Sequence, residues 1–150
     1  MRIVFIGTVD FSRHCLEQVI QAQGNVVGVI TMTADAASFN RDYADLAPIA
    51  QANRTPVLHV ERINDPESIA WIQALRPDII FVFGWSQLLS QELLAIPPRG
   101  VIGSHPTLLP KRRGRHPLIR ALVDGLTESG LSFFFMDGGA DSGDLLWQKP

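Results

Sequence analysis

The segment R-I-V-F-I-G-T-V-D-F-S-R-H-C-L-E-Q-V-I, Arg2 to Ile20, decides the fold. Arg2 to Ile6 is a short, almost wholly apolar run, the pattern of a strand buried on both faces. Gly7-Thr8-Val9-Asp10 then turns the chain and offers a helix cap, after which Phe11, Cys15, Leu16, Val19 and Ile20 recur at helical spacing. Strand, turn and helix in that order open a sheet whose strands are joined by crossover helices.

The same unit recurs along the chain. Val26 to Ile30, after the Gly24-Asn25 turn, reads as a second buried strand, and Tyr43 to Gln51 as a helix carrying Leu46, Ile49 and Ala50 on one side. Pro56 to His59 is a third strand. Asp65-Pro66-Glu67 joins a cap, a first-turn proline and an early acid, opening a helix that runs to Leu75 and buries Ile69, Ile72 and Leu75. Asp78 to Phe83 is a fourth strand, Ser86 to Ala95 a helix or a pair of turns, and Gly100 to His105 a fifth strand. Pro117 to Asp124 is a helix closed by Gly125, and Leu131 to Met136 and Asp144 to Gln148 are two further strands. This alternation predicts an α/β, doubly wound, mostly parallel sheet with helices on both faces. The Asp137 to Gly143 connection is too short for a crossover helix, so the C-terminal strand pair is expected to be antiparallel. Residues 32 to 42 read as a loop.

Bulk properties bound the rest. With 150 residues, 46% hydrophobic and 19% charged, the chain is expected to form one domain over residues 1–150. A net charge of −2 supplies no general attraction for nucleic acid, leaving only the short basic run Lys111 to Arg115. Cys15 is the sole cysteine and falls on the apolar side of the first helix, which fits a small buried residue in a reducing, cytoplasmic setting. The opening apolar run is too short for a signal h-region or a membrane span, so no membrane association is expected.

In an open parallel sheet, ligands bind beyond the carboxyl ends of the strands, a rule that singles out Gly7 to Asp10, Gly84 to Leu88, and His105 onward. The first turn lacks G-x-G-x-x-G, which argues against a dinucleotide, and Asp10 reads as a helix cap. His105 ends a strand and Asp141 lies in the turn Gly-Gly-Ala-Asp-Ser-Gly, a pairing suited to proton transfer. The plain structural alternative is a strand-terminal histidine bonded to nearby backbone and a turn-forming aspartate. His14 and His59 lack metal-ligand spacing to any other His, Cys or acid, and no metal is expected.

The stretch His105-Pro106-Thr107-Leu108-Leu109-Pro110 with Arg113-Gly114, followed by Asp137 and Asp141-Ser142-Gly143-Asp144, resembles the formyltransferases that use 10-formyltetrahydrofolate. Ile3 to Thr8 with Asp10-Phe11, Val26 to Ile30 and Arg76-Pro77-Asp78 extend the resemblance over the whole chain. It implies a Rossmann-like catalytic domain in which an acceptor amine attacks the formyl carbon, with His105 moving protons and Asp141 orienting the ring and stabilising its charged form. By the same resemblance Phe83, Gly84, Trp85, Leu88 and Leu89 would line the folate site together with Asp141, although core packing explains the apolar members equally well. Thr8, Asp10, Pro110, Arg113 and Gly114 would lie on the acceptor side.

One position departs from the family pattern. The family carries an asparagine two residues before the histidine, and here that residue is Gly103. Strand alternation puts positions 103 and 105 on one face and Ser104 on the other, so Ser104 does not replace it. Removing one oxyanion donor lowers a rate by about 10²–10³-fold, which keeps a non-catalytic, folate- or nucleotide-binding relative open as an alternative. The run Arg113-Gly114-Arg115-His116-Pro117-Leu118 looks more like the sugar-type members, so a nucleotide-linked amino sugar is the first acceptor expected and initiator tRNA the alternative. The family's catalytic domain continues beyond a strand like the last one here. A chain truncated at that point would leave a sheet flank open to a partner, a second copy included.

Overall fold

A computed structural model describes all 150 residues, Met1–Pro150. The chain divides into two compact units, Met1–Val101 and Ile102–Pro150.

The first unit is built around four parallel strands, β1 (Arg2–Ile6), β2 (Asn25–Met32), β3 (Val57–Val60) and β4 (Ile79–Val82), in the order β3-β2-β1-β4. The connections carry α1 (Asp10–Gln21), α2 (Ala47–Ala52) and α3 (Pro66–Ala74), and α4 (Gln91–Leu94) follows β4. The continuous apolar runs become the centre of the sheet: Val4, Phe5 and Ile6 on β1, Val29 and Ile30 on β2, and Ile80 on β4 have no exposed surface. Each such side chain stabilises the fold by about 1.5–3 kcal/mol through burial. Phe5 meets Phe83 edge to face at 5.6 Å, and Phe83 stacks on Phe81 at 5.4 Å, packing the end of β4. The order reverses between β1 and β4, the switch point where open α/β sheets bind ligands.

Two local readings are corrected. The helix expected from Tyr43 is shorter, beginning at Ala47, because the first turn claims the preceding backbone: Ala44 N–H donates to Thr8 O at 2.9 Å, and Asp10 N–H donates to Asp42 O at 3.0 Å. The Tyr43 hydroxyl also donates to Met32 O at 3.1 Å. Asp10 does not cap α1 but is its first helical residue, paired with Arg13 Nε at 3.3 Å. Ser12 takes over the cap, its Oγ accepting from Thr8 N–H at 3.1 Å and Val9 N–H at 3.2 Å.

The second unit contains β5 (Val101–His105) from Ile102 onward, α5 (Pro117–Val123), β6 (Leu131–Phe135) and β7 (Leu145–Lys149). β6 and β7 are antiparallel, as the short loop requires. β5 and β6 are antiparallel too, in uninterrupted register with Gly103 opposite Phe134 and His105 opposite Ser132, so the antiparallel portion is three strands wide. The helix between β5 and β6 therefore returns the chain without making a parallel crossover.

Candidate active site

The carboxyl ends of β1 and β4 are tied together by one hydroxyl. Besides accepting the two amides of the first turn, Ser12 Oγ donates to Phe83 O at 2.5 Å and is fully buried. The turn amides that a phosphate would otherwise approach are thus satisfied internally. Thr8, expected on the acceptor side, is fully buried, and its Oγ1 accepts from Met32 N–H at 3.2 Å. Asp10 remains exposed.

Beyond β4 the donor-side residues diverge in exposure. Phe83 is buried, Gly84, Trp85 and Leu89 are half-buried, and Leu88 is 71% exposed. The loop is pinned by two side chains. Gln87 accepts from Ile63 N–H at 2.8 Å and donates to Glu61 O at 2.7 Å; Asn64 donates to Leu88 O and accepts from Ser90 N–H, both at 2.8 Å. Trp85 Nε1 is buried and finds no acceptor in the protein, a donor left for a polar ligand atom or water.

In the second unit, β5 carries His105 to the start of the 106–116 loop, where its side chain is 7% exposed. Its Nδ1 stands 3.5 Å from Asp141 Oδ2, ion-pair distance but longer than a hydrogen bond. The same carboxylate oxygen accepts from Gly114 N–H at 2.9 Å, and His105 Nε2 donates to Arg112 O at 2.8 Å. A carbonyl only accepts, so Nε2 carries its proton. Asp141 adopts φ 53°, and the turn that holds it is organised by Asp137, whose Oδ1 accepts from Ser142 Oγ at 2.7 Å and Gly139 N–H at 2.9 Å. Those bonds, the Ser142 one foremost, hold the Asp137 carboxyl below the usual carboxylate range.

The face shared by Gly103 and His105 continues across the sheet. Ser132, opposite His105, is fully buried; its Oγ donates to Thr107 O at 2.6 Å and accepts from Leu109 N–H at 3.2 Å and Gln148 Nε2 at 2.8 Å. Gln148 also donates to Leu109 O at 2.9 Å. Two strands thereby clamp the segment following His105. Around Gly103 the surroundings are apolar: a Cβ there would lie 2.9 Å from Met136 Cγ and 3.1 Å from the Phe134 ring.

The structure therefore brings His105, Asp141 and Gly114 together, with Pro110 and Arg113 exposed on the same loop. Ser12, Ser132, Gln148 and the Arg112 carbonyl were not singled out from the sequence. Ser132 has a legible signal, a polar residue on the inward face of an otherwise apolar strand, whereas Gln148 on the exposed last strand and a backbone carbonyl have none.

Known proteins share this fold and this family. The fold is that of phosphoribosylglycinamide formyltransferase from Bacillus halodurans, with a TM-score of 0.81 at 20% identity over 99% of this chain and 78% of that one. A formyltetrahydrofolate deformylase from Pseudomonas syringae shares it with a TM-score of 0.77 at 18% identity, covering 99% of this chain and half (50%) of that one. The formyl transferase family model matches residues 1–150, and the chain belongs to that family. It is 38% identical over 153 residues to the methionyl-tRNA formyltransferase of Geotalea daltonii and 34% identical over 151 residues to that of Thermotoga maritima, in each case covering 99% of this chain. It spans 48% of both relatives, about half their length. No helix is long and apolar enough to cross a membrane.

Proposed function

We propose that the chain carries the formyl-transfer site of an enzyme that moves a formyl group from 10-formyltetrahydrofolate to a primary amine. The observation carrying this reading is the His105–Asp141 pair, 3.5 Å apart within a chain matched throughout by the family model. His105 exchanges protons with the amine and with the leaving nitrogen of the donor, and its Nε2–H is the donor to the developing oxyanion. Asp141 orients the ring through Nδ1. The orphan Trp85 indole N–H and the pinned 86–90 loop, at the carboxyl end of β4, support recognition of the folate there.

For the acceptor, the curated relatives favour the methionyl amine of a charged tRNA over the nucleotide-linked amino sugar expected from the loop motif. Exposed Lys111, Arg113 and Arg115 beside His105 suit contacts to phosphates. A non-catalytic role is favoured by one observation, the packing of Met136 and Phe134 where a polar side chain at position 103 would stand.

The test is formylation with 10-formyltetrahydrofolate and, separately, methionyl-tRNA and a panel of nucleotide-linked amino sugars, using the native chain and His105→Ala. Formylmethionyl-tRNA that disappears in the variant supports the reading. Formylated sugar alone returns the acceptor to the amino-sugar class, and folate binding without any product sinks catalysis.

A further inference from the structure

His105 has no ring nitrogen free for a substrate. Nε2 is bonded to the Arg112 carbonyl, Nδ1 faces Asp141, and only 7% of the side chain is exposed. A group that moves protons must touch the reacting atoms, so one of these partners has to leave. Asp141 orients the ring; the Arg112 carbonyl belongs to a loop.

That loop, 111–116, intercepts both members of the pair. Arg112 O takes the His105 proton donor, and Gly114 N–H takes the Asp141 oxygen that would otherwise close on Nδ1. Arg112, Gly114 and His116 alternate in left-handed conformations, φ 59°, 96° and 55°, which two non-glycine residues hold only while surrounding contacts enforce them. Thr107 Oγ1 fixes the loop's first residue by donating to Lys111 O at 2.9 Å. Farther along, the fastening is the ion pair between the Arg112 guanidinium and the Asp124 carboxylate at the end of α5, with 32% and 50% of the side chains exposed. A pair that wet is a weak clasp.

We propose that residues 111–116 form a lid whose Arg112 carbonyl occupies the reacting position at His105 Nε2, that the Arg112–Asp124 pair keeps it shut, and that it opens for substrate. The inference rests on His105 being the proton-transfer group. Opening does two things at once: it uncovers Nε2, and it releases Asp141 Oδ2 from Gly114 so that the carboxylate can tighten on Nδ1. Asp124 touches no reacting atom and acts through Arg112, as a positioning residue.

Occlusion is read without turnover by carbethoxylation with diethyl pyrocarbonate near neutral pH, following each histidine by peptide mass spectrometry. Exposed His14 is the internal reference. In the native chain His105 is modified far more slowly than His14. Asp124→Asn and Arg112→Asn, the latter chosen because asparagine tolerates the left-handed conformation, accelerate labelling of His105 by about two- to fivefold and leave His14 unchanged. Labelling of native His105 as fast as His14, or no acceleration in either variant at unchanged unfolding midpoint, overturns the lid. Formyl transfer is assayed on the same three proteins. Its absence from all three alongside accelerated labelling sinks the catalytic reading and leaves the lid standing; where transfer occurs, kcat/KM rises by the same factor as labelling.

Discussion

Met136 packs against Gly103 so closely that a Cβ at position 103 would come within 2.9 Å of its Cγ. The glycine is therefore one half of an apolar arrangement rather than an isolated loss. Gly103→Asn alone overpacks this site and is expected to cost about 1–3 kcal/mol in denaturant unfolding with no gain in kcat. Gly103→Asn combined with Met136→Ala makes room for the amide and is expected to raise kcat by up to about 10²-fold, the scale of one oxyanion donor. A single variant that is both stable and faster would show that Met136 does not block the position.

Asp141 makes one hydrogen bond, from Gly114 N–H, and one ion-pair contact, with His105, and the two separate by substitution. Asp141→Asn keeps an oxygen to accept from Gly114 N–H and tolerates φ 53°, so the unfolding midpoint should stay within about 0.5 kcal/mol of native. The charge facing His105 is gone, and kcat is expected to fall by about 10²–10⁴-fold, as for loss of acid/base assistance. Asparagine activity close to native would remove Asp141 from the mechanism.

Ser12 joins the turn after β1 to the end of β4 through Thr8, Val9 and Phe83. Ser12→Ala leaves two amides and a carbonyl without that hydroxyl in a buried setting. A loss of about 1–3 kcal/mol is expected from urea unfolding, with m unchanged. A loss below about 0.5 kcal/mol would mean the turn is held by its backbone alone.

The parallel strands and their helices were legible because each is apolar at its own period, and tertiary contacts reinforced what Ile3–Ile6 or Ile79–Val82 already specified. Tyr43 to Leu46 was misread because helical spacing is blind to backbone claims made from far away, here by Thr8 and Asp10 on the first turn. The third antiparallel partner was hidden for a related reason: a helix-length connection does not fix the direction in which β6 returns. At the site, His105 and Asp141 were visible as side-chain chemistry in a recognisable pattern. The Arg112 carbonyl and Gly114 amide were not, since every residue has those groups and only the left-handed conformations at 112 and 114 aim them.

Asp137 gives the turn around Asp141 an acid-sensitive support. Its carboxyl is held below the usual aspartate range by Ser142 and Gly139, so folding favours the ionised form. The sign follows from linkage: the contribution is fully present above the unfolded value of about 3.9 and is lost as pH falls through the lower folded value. Stability measured by urea unfolding should therefore decline on the acid side with a component that Asp137→Asn removes, while the two proteins show parallel pH dependence above about pH 5. Because the asparagine oxygen still accepts from Ser142 and Gly139, the variant should retain formyl transfer, whereas Asp137→Ala should lower kcat by letting Asp141 drift from His105. Equal acid limbs for native and Asp137→Asn would show that the carboxylate charge contributes nothing to the turn.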